Sequence, residues 1–322
     1  MSQEAVVITG AAGFIGSHLV RRFLAAGYNV IGLDNFSSSD KATAAELSLN
    51  KKFIFFKKDC CEDWSSIQDC VARNQFTINQ IFHFASIATP VRFEESFQEI
   101  FNANTLGLRR SLEFARDQDA RVFFASSSEV YGRALRESLQ EEDLGLVNTV
   151  GPRAIYDESK RAGEALLYSW NQRYGTSHSI FRIFNTYGPG MHPQDGRAIV
   201  DFLSKIQAGQ PINLFGDGKQ TRSFCYISDL IDQISDLSKK SFLVLNVGSD
   251  HEVTLLELIE SIKKLTGAHL KINSHPARPE DPQKRKPDLE RMRGLMGPQK
   301  LKSLQEGLGL YWSYLNQKGE TK

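Results

Sequence analysis

Tyr156 and Lys160 stand four residues apart in Gly151-Pro-Arg-Ala-Ile-Tyr-Asp-Glu-Ser-Lys160. On a helix, that spacing stacks both side chains on one face, so a lysine ammonium can lie near a tyrosine hydroxyl. A nearby cation favours the phenolate and lowers the tyrosine pKa. The expectation is a base usable near neutral pH, suited to taking a proton from an alcohol while a hydride leaves the same carbon. The same spacing also occurs in any exposed amphipathic turn, so the pair needs a hydride acceptor beside it.

The N-terminus supplies the pattern for one. Ala5-Val-Val-Ile-Thr9 reads as a buried strand, followed at once by Gly10-Ala-Ala-Gly13-Phe-Ile-Gly16 and a helical pattern from Phe14 to Ala26. Glycines 10, 13 and 16 permit a tight turn, approach of a pyrophosphate to main chain, and close packing of helix on sheet. The first helical residues, Phe14 and Ile15, then offer N–H groups and the positive end of the dipole to phosphate. A second strand, from Asn29 to Leu33, ends at Asp34. A carboxylate there can accept hydrogen bonds from a ribose diol and would repel a 2′-phosphate, which favours NAD over NADP.

These residues require a scaffold that brings strand ends together. Apolar runs at Phe53 to Phe56, Gln80 to Phe84, Arg121 to Ala125 and Ser179 to Ile183 alternate with helical stretches near 63–73, 91–117 and 153–174. That alternation predicts an α/β fold, a doubly wound parallel sheet of Rossmann type with a smaller, discontinuous α/β substrate lobe. We expect an NAD-binding domain over 1–185, with a returning strand near 224–248, and a mainly substrate-binding lobe over 186–322. Ser126-Ser-Ser-Glu-Val-Tyr-Gly132 falls at a strand's carboxyl end, where hydroxyls and a carboxylate would face a nicotinamide. After Phe184, glycine- and proline-punctuated loops lead to shorter helices near 196–208, 229–238 and 254–266, and Leu243 to Val247 reads as a strand that rejoins the main sheet. On composition alone, Pro276 to Pro287 resembles a basic linker.

Composition sets limits on the function. The 322 residues carry 39 Lys plus Arg against 38 Asp plus Glu, so no overall charge argues for nucleic acid. No apolar run approaches membrane-spanning length, and residues 1 to 4 leave no room for a signal peptide before the first strand, so a cytoplasmic location is expected. Cys60, Cys61, Cys70 and Cys225 follow neither a zinc spacing nor a secreted disulfide framework, and the seven histidines are scattered; we expect no metal.

Taken together, these residues resemble the extended short-chain dehydrogenase/reductase family, and within it the UDP-glucuronate decarboxylases. The resemblance runs from Val6 to about Leu310. Its general parts are the three glycines, Asp34-Asn35-Phe36, the Tyr156 and Lys160 pair, and Arg182-Ile-Phe-Asn-Thr-Tyr-Gly188. Its more specific parts are Ser128-Glu-Val-Tyr-Gly132, Gly151 to Arg161, Met191-His-Pro-Gln-Asp-Gly-Arg197, Gln220-Thr-Arg-Ser-Phe-Cys-Tyr226 and Asp281-Pro-Gln-Lys-Arg-Lys-Pro-Asp288. The resemblance implies that Tyr156 takes the proton from the sugar 4-hydroxyl while NAD takes the hydride, that the resulting β-keto acid loses carbon dioxide, and that the hydride then returns. It implies further that Ser127 bonds to O4, that Glu129 orients the uronate or a water, and that Asn35 and Asp59 lie on the cofactor side. Asn185, Arg197, Arg222 and Arg285 would hold the nucleotide sugar, which makes the stretch around Arg285 a binding loop. A homodimer through the helices near 91–117 and 153–174 is implied as well.

The chain departs from that pattern in three places. Ser127 stands where the decarboxylases usually carry threonine, Ala85-Ser-Ile-Ala-Thr-Pro90 replaces a more proline-rich segment, and residues 135–149 fit poorly. An epimerase or dehydratase acting on another nucleotide sugar therefore stays open. So does a non-catalytic sugar-nucleotide-binding scaffold. Ser128 before Glu129 counts against a dehydratase, which usually has an Asp-Glu pair to expel the C6 hydroxyl.

Overall fold

Runs that are apolar on both alternating faces make strands buried on both sides, and six of them build the first half of the computed structural model, which describes residues 3–269, 271–277 and 283–319. They are β1 (Gln3–Thr9), β2 (Asn29–Asp34), β3 (Phe53–Lys57), β4 (Phe76–His83), β5 (Arg121–Ser127) and β6 (Ser179–Ile183). Shorter strands follow: β7 (Thr186–Tyr187), β8 (Ile212–Phe215), β9 (Thr221–Ser223), β10 (Cys225–Tyr226), β11 (Val244–Val247), β12 (Glu252–Thr254) and β13 (Ile272–His275). One seven-stranded sheet has the order β11-β6-β5-β4-β1-β2-β3. All its pairings are parallel. The strand expected to return from the second half is β11, hydrogen-bonded to β6 with Val244 opposite Ile180.

Helices cover both faces, and the period of two decides which residue meets which. Val6, Ile8, Phe82 and Phe123 pack to one side, where α1 (Phe14–Ala25) lies, while Ala5, Val7, Ile81 and Val122 pack to the other. That second side is covered by α3 (Ser65–Asn74), following the short α2 (Lys41–Leu47), and later by α5 (Leu108–Gln118) and α6 (Ala154–Tyr174). The first face continues without a break into α7 (Ala198–Gln207), α8 (Ile227–Leu237), α9 (Leu255–Thr266), α10 (Glu290–Met296) and α11 (Leu304–Gly319), through Val200, Leu230, Leu258, Met292 and Tyr311.

Two sequence expectations need revision. The stretch 91–117 is not one helix: a 3-10 turn at Pro90–Arg92, α4 (Phe97–Asn102), a π-turn at Ala103–Gly107 and α5 follow in series. The π-turn carries the Ala103 carbonyl to within 2.9 Å of His83 Nε2 and sets Gly107 against Cys60, where a Cβ would lie 2.6 Å from the sulfur. Helices α2, α10 and α11 were not foreseen. Asp40 capping Ala42 N–H, and Leu304, Leu308, Tyr311 and Leu315 on one buried stripe, are the signals that could have announced the first and the last.

The stretch from Pro276 to Pro287 lies partly outside the described residues, at 278–282. What is described of it does not behave as a free linker, since Thr221 N–H donates to the Gln283 carbonyl (2.9 Å) and Leu139 N–H to that of Lys286 (2.8 Å).

Candidate active site

The carboxyl ends of β1, β2, β4, β5 and β6 open onto a cleft of about 1110 Å³. At its β1 end the turn is made of main chain. Gly10 has φ +70°, and a Cβ on Gly16 would sit 2.0 Å from the Gly10 carbonyl oxygen, so α1 starts hard against the turn. Gly13 caps α1 without a side chain, leaving the Phe14 and Ile15 N–H groups with no intrahelical acceptor. Asp34, buried, accepts from Ala12 N–H (3.0 Å), Phe36 N–H (2.8 Å) and Ser39 Oγ (2.6 Å). Its carboxylate is thereby fixed at the end of β2 with one lone pair, on Oδ2, left for a ribose hydroxyl. Asn35 Nδ2 donates to Asp59 Oδ2 (2.7 Å), closing the wall beyond it. A phosphate cradle, an oriented acceptor and the apolar walls of Leu33 and Ile87 fit a dinucleotide.

Asp59, Cys60 and Cys61 bring their ligand atoms within 4.8 Å of one another, a grouping the sequence spacing did not suggest. A hydrogen bond to Cys61 and burial push the Cys60 thiol well up, toward the protonated form that does not ligate metal.

At the β5 end the cleft is built from side chains. Tyr156, on the first turn of α6, stacks on Phe93 with ring centroids 4.7 Å apart, and the Ser127 hydroxyl is near enough to favour its ionised form. Lys160 lies one turn on, but its ammonium donates to the Ala125 carbonyl (2.6 Å) and sits 5.7 Å from the Tyr156 ring centre. The spacing argument thus places the pair correctly and gets its electrostatics wrong. Burial pushes the phenol up to about 12, helped by the Glu129 and Asp157 carboxylates and opposed by Ser127 and Arg197. Burial likewise brings Lys160 down to about 7, against the pull of Glu164. The protein by itself does not make Tyr156 a base near neutral pH.

Glu129 sits on the 3-10 turn Ser128–Tyr131, whose start is fixed by Ser127 Oγ accepting from Glu129 N–H at 3.2 Å. Its Oε2 accepts from Arg153 at 2.6 Å and from Arg285 at 3.1 Å. Burial opposes its ionisation, but Arg285 and Arg153 outweigh that and hold its pKa below the ordinary value. Arg285 is 2% exposed and also donates to the Ser128 carbonyl, so it clamps the turn from behind. Arg197 is held by both oxygens of Asp195, and Arg222, which donates to the Thr221 carbonyl at 2.7 Å, lines the same cleft. Asn185 lines it too, with a buried Nδ2 that has no partner among the described residues.

Four residues went unnoticed in the sequence: Phe93 under the tyrosine, Arg153 on the carboxylate, Asp157 beside it, and Glu164. The last accepts from Ser126 Oγ (2.6 Å) and takes both forks of Arg182 (2.9 and 2.7 Å), bracing the end of β5. Arg153 and Asp157 flank Tyr156 in the quoted motif, and i, i+3 helical spacing placing Arg153 beside the tyrosine was the available signal.

A family model described as the NAD dependent epimerase/dehydratase family matches residues 6–248, which include the glycine turn, Asp34, Glu129, Tyr156 and Lys160. The chain belongs to that family. It is an NAD-dependent enzyme of the short-chain dehydrogenase/reductase fold. It is 36% identical over 304 residues to UDP-glucuronic acid decarboxylase 1 of Arabidopsis thaliana, covering 94% of this chain and 68% of that one. To UDP-glucuronic acid decarboxylase 1 of Danio rerio it is 33% identical over 319 residues, 99% of this chain and 74% of that one. Among solved structures, UDP-glucuronic acid 4-epimerase from Bacillus cereus, in complex with UDP-glucuronic acid and NAD, is similar with a TM-score of 0.86 and 26% identity, over 98% of this chain and 99% of that one.

Proposed function

We propose that this enzyme decarboxylates UDP-glucuronate to UDP-xylose, with oxidation and re-reduction at C4. The observation that carries the reading is the near full-length similarity to UDP-glucuronic acid decarboxylases, joined to an ionised Glu129 held between Arg153 and Arg285 next to Tyr156. NAD, when bound, would supply a reversible hydride acceptor for C4 and, in its oxidised form, a positive ring. Gly10, Gly13, Gly16 and the Phe14 and Ile15 amides would hold its phosphates, Asp34 a ribose, and Asn35 with Asp59 the far end.

The protein's own work is at O4 and at the carboxylate. Tyr156 takes the O4 proton and later gives it back, with Ser127 donating to the same oxygen. Lys160, charged below about pH 7, lends positive charge beneath the ring. Once C4 is a ketone, the C6 carboxylate is β to it, and the electrons left by departing carbon dioxide delocalise onto O4, where Ser127 and Tyr156 stabilise the charge. Asn185, Arg197, Arg222 and Arg285 are proposed to face the nucleotide sugar, with Arg222 and Arg285 suiting a diphosphate or carboxylate. We assign NAD to the sheet through residue 185 and the returning segment 224–248, and the sugar mainly to 186–322.

The epimerase similarity gives a rival outcome, since an epimerase keeps the carboxylate. Incubation with UDP-glucuronate and NAD should release carbon dioxide and form a UDP-pentose without net NADH; an isomer of unchanged mass would identify an epimerase.

A homodimer is proposed on the faces of α4 and α6, where Phe97 (52%), Phe101 (44%), Tyr168 (50%) and Tyr174 (47%) are exposed. Light scattering at micromolar concentration should give twice the chain mass, and a monomer would refute it. Four free cysteines fit a reducing, cytoplasmic setting. No helix among the described residues is long and apolar enough to cross a membrane.

A further inference from the structure

Decarboxylation has a proton balance that the residues described so far do not close. The C5–carboxylate bond breaks, carbon dioxide leaves neutral, and the electron pair stays on the sugar as an enolate. A proton must then form the new C5–H bond. The Tyr156 proton cannot serve, because it comes from O4 and goes back there. One proton per turnover has to enter from solvent, into a site whose acidic group, Glu129, is ionised and walled by arginines.

A route exists behind the cleft. A second cavity, of about 860 Å³, abuts the first, and Glu129, Arg153 and Arg285 line both. Asp157 lines only the second. It is 5% exposed, and its Oδ1 has no partner among the described residues. Its Oδ2 stands 4.0 Å from Arg153 Nε, the guanidinium whose other nitrogen holds Glu129 at 2.6 Å. Two carboxylates therefore share one arginine, one facing the sugar cleft and the other facing the cavity behind it.

Resting on the decarboxylase reading, we propose that Asp157 loads a proton from the rear cavity and passes it through Glu129 to C5 of the sugar. As the enolate forms, Asp157 passes its proton to the ionised Glu129, which gives it to C5 as the C5–H bond forms and returns to the carboxylate, and Asp157 is reloaded from water; nothing is oxidised or reduced. Asp157 acts through Glu129 and is a positioning residue. The groups around it suit a proton reservoir. Burial first, then Glu129, raise its carboxyl to about 7, with Glu158 on its own helix adding to the rise, while Arg153 and, from the 283–287 segment, Arg285 oppose it. The rear cavity adds Arg133, Arg136, Glu137 and Lys284 to this surrounding charge.

The test compares wild type, Asp157→Asn and Asp157→Glu with UDP-glucuronate and NAD, in H2O and D2O. Asp157→Asn is near-isosteric but carries no exchangeable acid proton. It should lower kcat by about tenfold or more with KM little changed, raise the solvent isotope effect, and let reduced nicotinamide build up during a single turnover. Wild-type kcat should fall as pH rises through about 7, where Asp157 and Lys160 both lose their protons, and in Asp157→Asn that limb should become shallower, keeping only the Lys160 contribution. Asp157→Glu should recover part of the rate. An Asp157→Asn enzyme with wild-type kcat and isotope effect would overturn the proposal, as would equal losses in both variants confined to KM. Wild type that releases no carbon dioxide would sink the decarboxylase reading itself, and the need for this proton with it.

Discussion

At the β1–α1 end of the cleft, we assign recognition to main chain, two carboxylates and one amide, all drawn from residues 10–35 plus Asp59. At the β5–α6 end we assign it to side chains from five separate places: Phe93, Ser127 and Glu129, Arg153 to Lys160, Arg197, and Arg285. The first end binds a ligand part common to many enzymes and can be built from a turn whose geometry is local. The second must set charges against one another in a buried space, so each group's state depends on neighbours far away in sequence. The cofactor end is therefore rigid by backbone geometry, and the sugar end is tuned by electrostatics.

Removing the proton carrier at the sugar end should have the largest effect. Tyr156→Phe keeps the stack on Phe93 and loses only the hydroxyl; kcat should drop by about 10³-fold or more with NAD affinity unchanged, read by steady-state rates and by titration of protein fluorescence. An active Tyr156→Phe enzyme would mean that another group moves the O4 proton. At the other end, Gly16→Val should abolish NAD binding and destabilise the fold, since its Cβ would meet the Gly10 carbonyl at 2.0 Å; calorimetric titration and thermal melting would check both. Wild-type affinity there would break the claim that backbone geometry makes the site.

A change at the boundary sharpens the contrast. Arg285→Ala leaves Glu129 with one arginine fewer and should weaken nucleotide-sugar binding by about 10- to 100-fold while NAD binding moves less than about threefold. Equal losses would show that Arg285 merely supports the fold.

The smallest effect belongs to His83, at the end of β4, with Nε2 on the Ala103 carbonyl (2.9 Å) and Nδ1 near Thr9 and Ser111. Burial lowers it to about 3. The unfolded chain, with an ordinary histidine, binds the extra proton at higher pH than the fold does. The stability due to keeping His83 neutral is therefore complete above about pH 6.5 and is lost progressively as pH falls toward 3. The melting temperature should fall over that window, and His83→Gln should show a shallower fall; identical slopes would remove His83 from the account.

The contrast between the two ends also explains what could be read from the chain. Gly10, Gly13, Gly16 and Asp34 were legible because a turn's requirements are written in adjacent residues, and the parallel sheet because its strands are apolar on both faces. The Tyr156 and Lys160 pair was legible as geometry. Its ionisation was not, because that comes from burial under Phe93 and from the Glu129 and Asp157 carboxylates. Arg285 could be named through resemblance, but no spacing announces that a residue 156 positions from Glu129 closes on it. The π-turn at Ala103–Gly107 was illegible for a similar reason: Cys60 and His83, from other elements, determine it.

The most direct test of the central claim uses UDP-glucuronate deuterated at C4, with unlabelled NAD in ordinary water. The account predicts one carbon dioxide per sugar, UDP-xylose that keeps its deuterium at C4 and carries a solvent proton at C5, and no net NADH. A deuterated product still bearing its carboxylate, or deuterium lost from C4 into the cofactor pool, would contradict it.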